Sequence, residues 1–162
     1  LLTQVLDIVQ GKKSIYLDIK KKDIDNKKLN LFFKELFRIL DNYITTYNCD
    51  RKYIYICSFY KKYTEYILYN KCAKEYEIGI ILDKDNINYF LENFYISFNS
   101  FDFISIDYNI LDNISFCFGK IPIFCYTINE IIIYKNITNK KYISGLITDN
   151  PEYFISELNR NN

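Results

Sequence analysis

An acid and a base lie two residues apart at the end of a short stretch of strand-forming residues. The heptad Ser14–Lys20 reads Ser-Ile-Tyr-Leu-Asp-Ile-Lys. Because side chains in a strand alternate between its two faces, Asp18 and Lys20 are predicted to share one face at the carboxyl end. A carboxylate and an ammonium group there can place a metal ligand next to a phosphate contact. The alternative is an ion pair on an edge strand, since surface charges are usually only solvated.

The composition is that of a chain that can fold as one domain. It has 162 residues, of which 49% are hydrophobic and 19% aromatic, which is enough for a sizeable core. The formal net charge of +1 gives no whole-chain electrostatic reason to expect nucleic acid or an anionic membrane as a partner. No stretch is long and apolar enough to predict a transmembrane segment, and no signal peptide is visible.

The cysteines do not have the spacing of a zinc site. None of the five forms a C-x-x-C pair, and histidine is absent from the sequence. Cys57 and Cys125 lie inside apolar runs and are interpreted as small core residues. A reducing, cytoplasmic location is the simplest inference.

Strand and helix patterns alternate along the chain about every 25 to 30 residues, as in parallel βαβ units. Strands are predicted at 14–20, 53–58, 77–82, 103–107, 121–126 and 144–147. Helices are predicted at 2–9, 29–43, 61–70 and 86–94, and from Pro151 onwards with Asn150 as N-cap. The Ile-rich segment 128–134 fits a helix by alternation but is equally compatible with a strand, and 110–118 stays unassigned.

This alternation is expected for an α/β fold. No Gly-rich phosphate loop follows any strand, which argues against a Rossmann or P-loop domain. An open doubly wound sheet is possible, but a (β/α)8 barrel is the better fit if the front of the chain has been lost, since such barrels usually need about 250 residues. The chain opens with Leu1 inside an apolar pattern, and we expect it to be a fragment of a larger protein.

Four segments in order resemble glycerophosphodiester phosphodiesterases. That family has a Thr-Leu-Glu-Glu-Val-Leu helix, a Gly-Lys turn and a strand ending Glu-Ile-Lys. Leu1–Lys20 has the same order, with Leu-Leu-Thr-Gln-Val-Leu, Gly-Lys and Leu-Asp-Ile-Lys. Ile56–Phe59 is similar to the family's Ile-Ser-Ser-Phe, and Cys125–Asn129 to its Trp-Thr-Val-Asn. Gly145–Pro151 resembles its closing Gly-Ile-Ile-Thr-Asp-Tyr-Pro.

The resemblance implies a TIM barrel of the PLC-like phosphodiesterase type that lacks about its first two strands, here a single partial domain over 1–162. It implies metal-dependent hydrolysis of glycerophosphodiesters to an alcohol and glycerol 3-phosphate, a reaction of lipid metabolism, with Ca²⁺ or Mg²⁺ as the cation. By the same resemblance Asp18 replaces a metal-binding Glu, and Lys20 corresponds to a Lys that contacts the substrate phosphate. Tyr126 replaces the aromatic residue on the glycerol side of the pocket, although a core position is the alternative.

Other family motifs have no counterpart in this chain. The family's two catalytic histidines, one in a His-Arg-Gly motif, and two metal carboxylates in a Glu-x-Asp motif are missing. We therefore expect the chain as given to be inactive and to hold a cation weakly or not at all. The alternative is a degenerate barrel that acts as a non-catalytic binding or interaction module. A phospholipase acting on sphingolipid or inositol lipid is a third hypothesis.

Further polar residues at predicted strand ends have plainer interpretations. Ser58 and Phe59 are interpreted as packing residues, and Thr148 and Asp149 as caps of the last helix. Asp107 either belongs to the active-site end of a barrel strand or starts a loop. A barrel without its first strands exposes sheet edges, so we also expect the chain to self-associate or aggregate.

Overall fold

A computed structural model describes residues 1–20, 25–69, 75–92, 100–111, 121–138 and 142–160. They fall into two compact units, residues 1–80 and 81–162. Cys72, Cys117 and nearly all of the unassigned segment 110–118 lie outside the described residues. In the part that is described, no helix has both the length and the apolar character needed to cross a bilayer.

Three parallel strands form the sheet of the first unit. They are β1 (Ile15–Asp18), β2 (Ile54–Ser58) and β3 (Glu77–Leu82), paired in chain order. The last two residues of β3, Ile81 and Leu82, belong to the second unit. Asp18 lies opposite Cys57 at the carboxyl end of this pairing. All residues of β3 after the first are buried, as expected for a strand covered on both faces.

The helices of the first unit are α1 (Leu2–Val9), α2 (Asn26–Tyr47) and α3 (Lys61–Tyr69). α2 buries one face, formed by residues spaced three and four apart. Its buried residues are Leu29, Phe33, Leu36, Phe37, Leu40 and Tyr43. Phe33 is fully buried, and its ring stacks on Tyr66 of α3 with the ring centroids 4.8 Å apart. These aromatic contacts join α2 to α3.

Local hydrogen bonds set the ends of α1 and α2. Gly11 follows α1 with φ of 70°, and its N–H donates to the Tyr43 hydroxyl at 2.7 Å. The Asp25 carboxylate accepts from the Lys28 N–H at 2.9 Å and caps α2. Because of this cap, α2 begins three residues before the predicted start at Leu29.

The second unit has three further parallel strands. They are β4 (Phe103–Asp107), β5 (Ile123–Tyr126) and β6 (Ile143–Leu146), again paired in chain order. Asp107 lies opposite Tyr126, and Phe124 lies opposite Gly145. An ideal Cβ on Gly145 would lie 2.7 Å from the Phe124 ring, so this position excludes any larger residue without rearrangement.

The helices of the second unit are α4 (Ile87–Glu92), α5 (Ile131–Thr138) and α6 (Pro151–Arg160). α5 settles the ambiguous Ile-rich segment as a helix. The Asn150 side chain accepts a 3.4 Å hydrogen bond from the Tyr153 N–H, in agreement with the predicted N-cap of α6. A short 3-10 helix, Tyr108–Ile110, follows β4.

Candidate functional site

Asp18 and Lys20 meet at the carboxyl end of β1. The Lys20 Nζ lies 3.2 Å from the Asp18 Oδ2, so the two side chains do share one face. Lys20 is 71% exposed, whereas the Asp18 side chain is only 22% exposed. The contact is an ion pair, as the simpler alternative predicted, but one partner is largely withdrawn from water.

A second acid and base at the same spacing provide a comparison within the chain. Asp50 and Lys52 lie 3.0 Å apart with side chains 53% and 57% exposed, which is an ordinary solvated pair. In contrast, the Asp18 Oδ1 is buried and has no hydrogen-bond partner among the described residues. Burial raises the pKa of Asp18, while its hydrogen bond and charge contact with Lys20 oppose this increase. Asp18 therefore carries a carboxylate oxygen with unused acceptor capacity.

The backbone between Asp18 and Lys20 is anchored to the end of β2. The Ile19 N–H donates to the Cys57 carbonyl at 2.9 Å. The Ser58 hydroxyl, which is fully buried, donates to the Ile19 carbonyl at 2.7 Å and accepts from the Tyr60 N–H at 3.1 Å. We call the contacts of Ser58 with Ile19 and Tyr60 the Ser58 clamp.

Cys57 is a core residue, as predicted. It is fully buried, and burial raises the pKa of its thiol to about 12. A thiol in this state is not a nucleophile at neutral pH.

Tyr126 lies at the carboxyl end of β5 in the second unit. Its hydroxyl donates to the Leu82 carbonyl at 2.8 Å and is partly buried. Asp107, on the adjacent strand end, accepts from the N–H and the side-chain amide of Asn109 at 2.9 and 2.8 Å. Asp107 thus caps the 3-10 helix, as expected for a residue that starts a loop.

Thr148 and Asp149 belong to an exposed set of hydrogen bonds centred on Asn129. The Asn129 Oδ1 accepts from the Thr148 hydroxyl at 3.1 Å and from the Asp149 N–H at 3.0 Å. The Asn129 side-chain amide donates to the Asp149 carboxylate at 3.0 Å. We call these contacts the Asn129 network. They tie the loop after β5 to the loop after β6, whereas the cap of α6 comes from Asn150.

The described residues do not fit a complete site for a divalent cation. Ca²⁺ takes six to eight oxygen ligands, and Mg²⁺ needs near-octahedral coordination. No group of three or more His, Cys, Asp or Glu residues able to hold a metal ion occurs in the ranges that the structure describes. Among the carboxylates of these ranges, Asp18 is the one with a buried oxygen that lacks a hydrogen-bond partner, and it can be at most one ligand of a shared set.

Two solved structures have a fold similar to that of this chain. A glycerophosphodiester phosphodiesterase from Parabacteroides distasonis matches with a TM-score of 0.62 and 16% identity, over 99% of this chain and 64% of that one. A Galdieria sulphuraria protein provisionally assigned the same activity matches with a TM-score of 0.63 and 10% identity, over 98% and 63%. The chain has a fold similar to that of glycerophosphodiester phosphodiesterases. Neither a protein-family model nor a curated protein matches the sequence.

These comparisons confirm the resemblance predicted from the four motifs at the level of the fold, an α/β architecture of six parallel strands consistent with part of a TIM-like barrel. The chain spans less than two thirds of the length of either solved structure. Sequence reasoning predicted Asp18, Lys20 and Tyr126 as site residues but missed the Ser58 clamp beside Asp18 and Lys20. The available signal was a serine at the end of the apolar β2, because a buried hydroxyl needs a hydrogen-bond partner.

Proposed function

We propose that this chain contributes Asp18, Lys20 and Tyr126 to the active site of a glycerophosphodiester phosphodiesterase. The reaction is the hydrolysis of a small glycerophosphodiester to an alcohol and glycerol 3-phosphate, in a barrel of the PLC-like phosphodiesterase type. The observation that supports this most is the buried, unpaired Asp18 Oδ1 beside Lys20 at a strand end, on a fold similar to that of such enzymes. Active sites of parallel barrels lie at the carboxyl ends of their strands.

Each residue has a separate role in this proposal. Asp18 supplies one carboxylate ligand to a Ca²⁺ or Mg²⁺ ion whose remaining ligands come from outside the described residues. Lys20 is long and 71% exposed, so its ammonium group can move from Asp18 to a phosphate oxygen and offset its charge. Tyr126 borders the glycerol side with its ring, because its hydroxyl is already bound to the Leu82 carbonyl.

A binding titration tests the phosphate contact without requiring catalysis. Glycerol 3-phosphate is titrated into the ¹⁵N-labelled chain, and amide shifts are followed. We expect saturable shifts around Lys20 that are lost in Lys20→Ala. Lys52→Ala is the matched control, since Lys52 also pairs with an Asp two residues earlier but lies in a solvated pair. Equal weakening by Lys20→Ala and Lys52→Ala would show non-specific anion binding and contradict the proposal.

The chain by itself is expected to be inactive. The sequence has no histidine to act as general acid or base, and one carboxylate holds a divalent cation only weakly. The assay is release of glycerol 3-phosphate from glycerophosphocholine in the presence of Ca²⁺ or Mg²⁺. Release above the level of Lys20→Ala would show that the chain is catalytic and refute this expectation.

A non-catalytic binding module is the second candidate. Two observations favour it. The described ranges contain no group of three residues able to hold a metal ion, and Lys20 already forms an ion pair with the Asp18 Oδ2. The coding sequence upstream separates the two candidates. An in-frame His-Arg-Gly followed by Glu-x-Asp supports the enzyme, and a start codon just before Leu1 supports the module.

We also propose that the chain self-associates through an edge of the first unit. In the described ranges β1 pairs with β2 alone. Leu1, just before α1, and Val5 and Ile8 of α1 are 93%, 53% and 80% exposed. Sedimentation of the wild type and Ile8→Lys tests this. We expect a concentration-dependent dimer of two copies that Ile8→Lys weakens. A monodisperse wild-type monomer would contradict it.

We further propose a cytoplasmic location for the chain. Cys49, Cys57 and Cys125 are free thiols, which suits a reducing compartment.

A further inference from the structure

Ser58 is a polar residue at a position where a packing residue would be expected. It is the last residue of β2, its side chain is fully buried, and its neighbours Ile56 and Cys57 are fully buried as well. Burial of a hydroxyl without hydrogen-bond partners destabilises the folded chain. Ser58 avoids this cost because its oxygen both donates to the Ile19 carbonyl and accepts from the Tyr60 N–H.

Ile19 is held at both of its backbone polar groups. Its N–H donates to the Cys57 carbonyl at 2.9 Å, and its carbonyl accepts from Ser58 at 2.7 Å. Ile19 is only 7% exposed, so packing also restricts the movement of its side chain. Asp18 and Lys20 are bonded directly to this residue. Their Cα–Cβ directions are therefore set by a peptide segment with little freedom.

We propose that Ser58 is a positioning residue whose hydroxyl, through the Ile19 carbonyl, holds Asp18 and Lys20 in their common orientation. This inference rests on the proposed function for what Asp18 and Lys20 contact, but the clamp itself can be measured without a ligand. Without the hydroxyl, the segment after β1 keeps only the Ile19 N–H bond and can rotate about it. The ammonium group of Lys20 then reaches a bound phosphate from a wider range of positions, which weakens binding.

Two other roles for Ser58 make different predictions. A substrate contact would need an accessible hydroxyl, whereas this one is fully buried and uses its proton on the Ile19 carbonyl. A purely structural hydroxyl would stabilise the first unit without affecting the Lys20 end of β1. Thr64 provides that comparison. It is 1% exposed, and its hydroxyl donates to the Tyr60 carbonyl at 3.1 Å instead of to the Ile19 carbonyl.

The experiment compares Ser58→Ala with Thr64→Val in the full chain. Amide hydrogen exchange at Ile19 reports the clamp, and titration with glycerol 3-phosphate reports its consequence. We expect roughly fivefold faster exchange at Ile19 in Ser58→Ala, which corresponds to a hydrogen bond worth about 1 kcal/mol. Exchange at Ile80 of β3 reports the overall loss of stability and is the reference for the Ile19 rates, and we expect a several-fold weaker affinity. Thr64→Val should leave the Ile19 exchange and the affinity unchanged.

The outcomes separate the clamp from the proposed function. Wild-type exchange rates at Ile19 in Ser58→Ala, or equal effects of Thr64→Val, would overturn the proposal. Faster exchange with unchanged affinity would overturn it as well, because the clamp would then not position the ligand contact. If the wild-type chain does not bind glycerol 3-phosphate, the proposed function fails, and Ile19 exchange alone decides whether the clamp holds the segment. If Ser58→Ala does not fold, Ser58→Cys keeps the shape with a weaker donor and replaces it.

Discussion

The strand ends of the two units are held in opposite ways. In the first unit a single buried hydroxyl, that of Ser58, fixes the segment after β1. In the second unit the exposed Asn129 network joins the loops after β5 and β6 through several water-accessible hydrogen bonds. A buried bond cannot be replaced by water when it is lost, whereas exposed groups are solvated again. The Ser58 hydroxyl near the candidate ion pair of Asp18 and Lys20 is thus a contact that water cannot replace, beside the hydrogen bond from the Ile19 N–H to the Cys57 carbonyl.

The second unit contains a close contact between two neighbouring strands of its sheet. Gly145 of β6 faces the Phe124 ring at a distance that leaves no room for a Cβ. We expect Gly145→Ala to destabilise the chain by about 2–3 kcal/mol, because the ring must shift in a packed environment. Urea denaturation followed by circular dichroism measures this. Ser144→Ala, an exposed neighbour on the same strand, should stay within about 0.5 kcal/mol of the wild type.

Removing one hydrogen-bonding side chain from each unit tests the central comparison directly. Ser58→Ala leaves the Ile19 carbonyl and the Tyr60 N–H without their partner in a buried place, so we expect a loss of about 2 kcal/mol. Asn129→Ala removes more hydrogen bonds but exposes their partners to water, and we expect a loss of about 0.5 kcal/mol. The same urea experiment measures both. A larger loss in Asn129→Ala than in Ser58→Ala would contradict the comparison.

The bounds of helices and strands were predicted correctly where the local sequence pattern fits only one kind of element. β3 and β4 were predicted with the bounds that the structure shows, because each is an apolar run between polar residues. α2 was predicted too short, since its first turn is polar and begins at the Asp25 cap. α5 was left open between helix and strand because isoleucine is compatible with both patterns.

The contacts that hold the candidate site depend on the folded chain. Ser58 and Ile19 are 39 residues apart, and Tyr126 and Leu82 are 44 apart. A pattern of period two places Asp18 and Lys20 on one face, but it cannot show which distant backbone group a hydroxyl reaches. It also does not show that the Asp18 Oδ1 lacks a partner while Asp50, in the same Asp-x-Lys spacing, is solvated.

Tyr126 has a partly buried hydroxyl, so the stability lost on removing it is expected to lie between the losses for Ser58 and for the exposed Asn129 network. Tyr126→Phe removes the donor to the Leu82 carbonyl and keeps the ring, so we expect a loss of about 1 kcal/mol. The matched control is Tyr153→Phe in α6. Tyr153 is 37% exposed, so this substitution should change the free energy of unfolding by less than about 0.5 kcal/mol. Urea denaturation of the three proteins measures both effects. Equal losses in the two variants would show that the bond to Leu82 contributes nothing.

The smallest expected effect is a change of stability with pH that results from the burial of Asp18, and the direction of that change is what we predict. Burial raises the pKa of Asp18 above its ordinary value of 3.8. The folded chain therefore binds this proton more tightly than the unfolded chain, so the contribution to stability is lost as pH rises from the ordinary value through the folded one. Asp18→Asn lacks this loss, and we expect its stability relative to the wild type to improve as pH rises over that window. Urea denaturation in metal-free buffer at a series of pH values measures it.

Glu35 supplies the control of opposite sign. Its hydrogen bond and ion pair with Arg38 lower the pKa of Glu35, so its contribution is present above the ordinary pKa and is lost as pH falls. Glu35→Gln should therefore lose stability relative to the wild type as pH rises, although both side chains are exposed and the change is small. If Asp18→Asn followed the same direction as Glu35→Gln, the Asp18 carboxylate would be stabilised by Lys20 more than it is destabilised by burial. The pair would then be equivalent to the solvated pair of Asp50 and Lys52, and the distinction on which the candidate site depends would not hold.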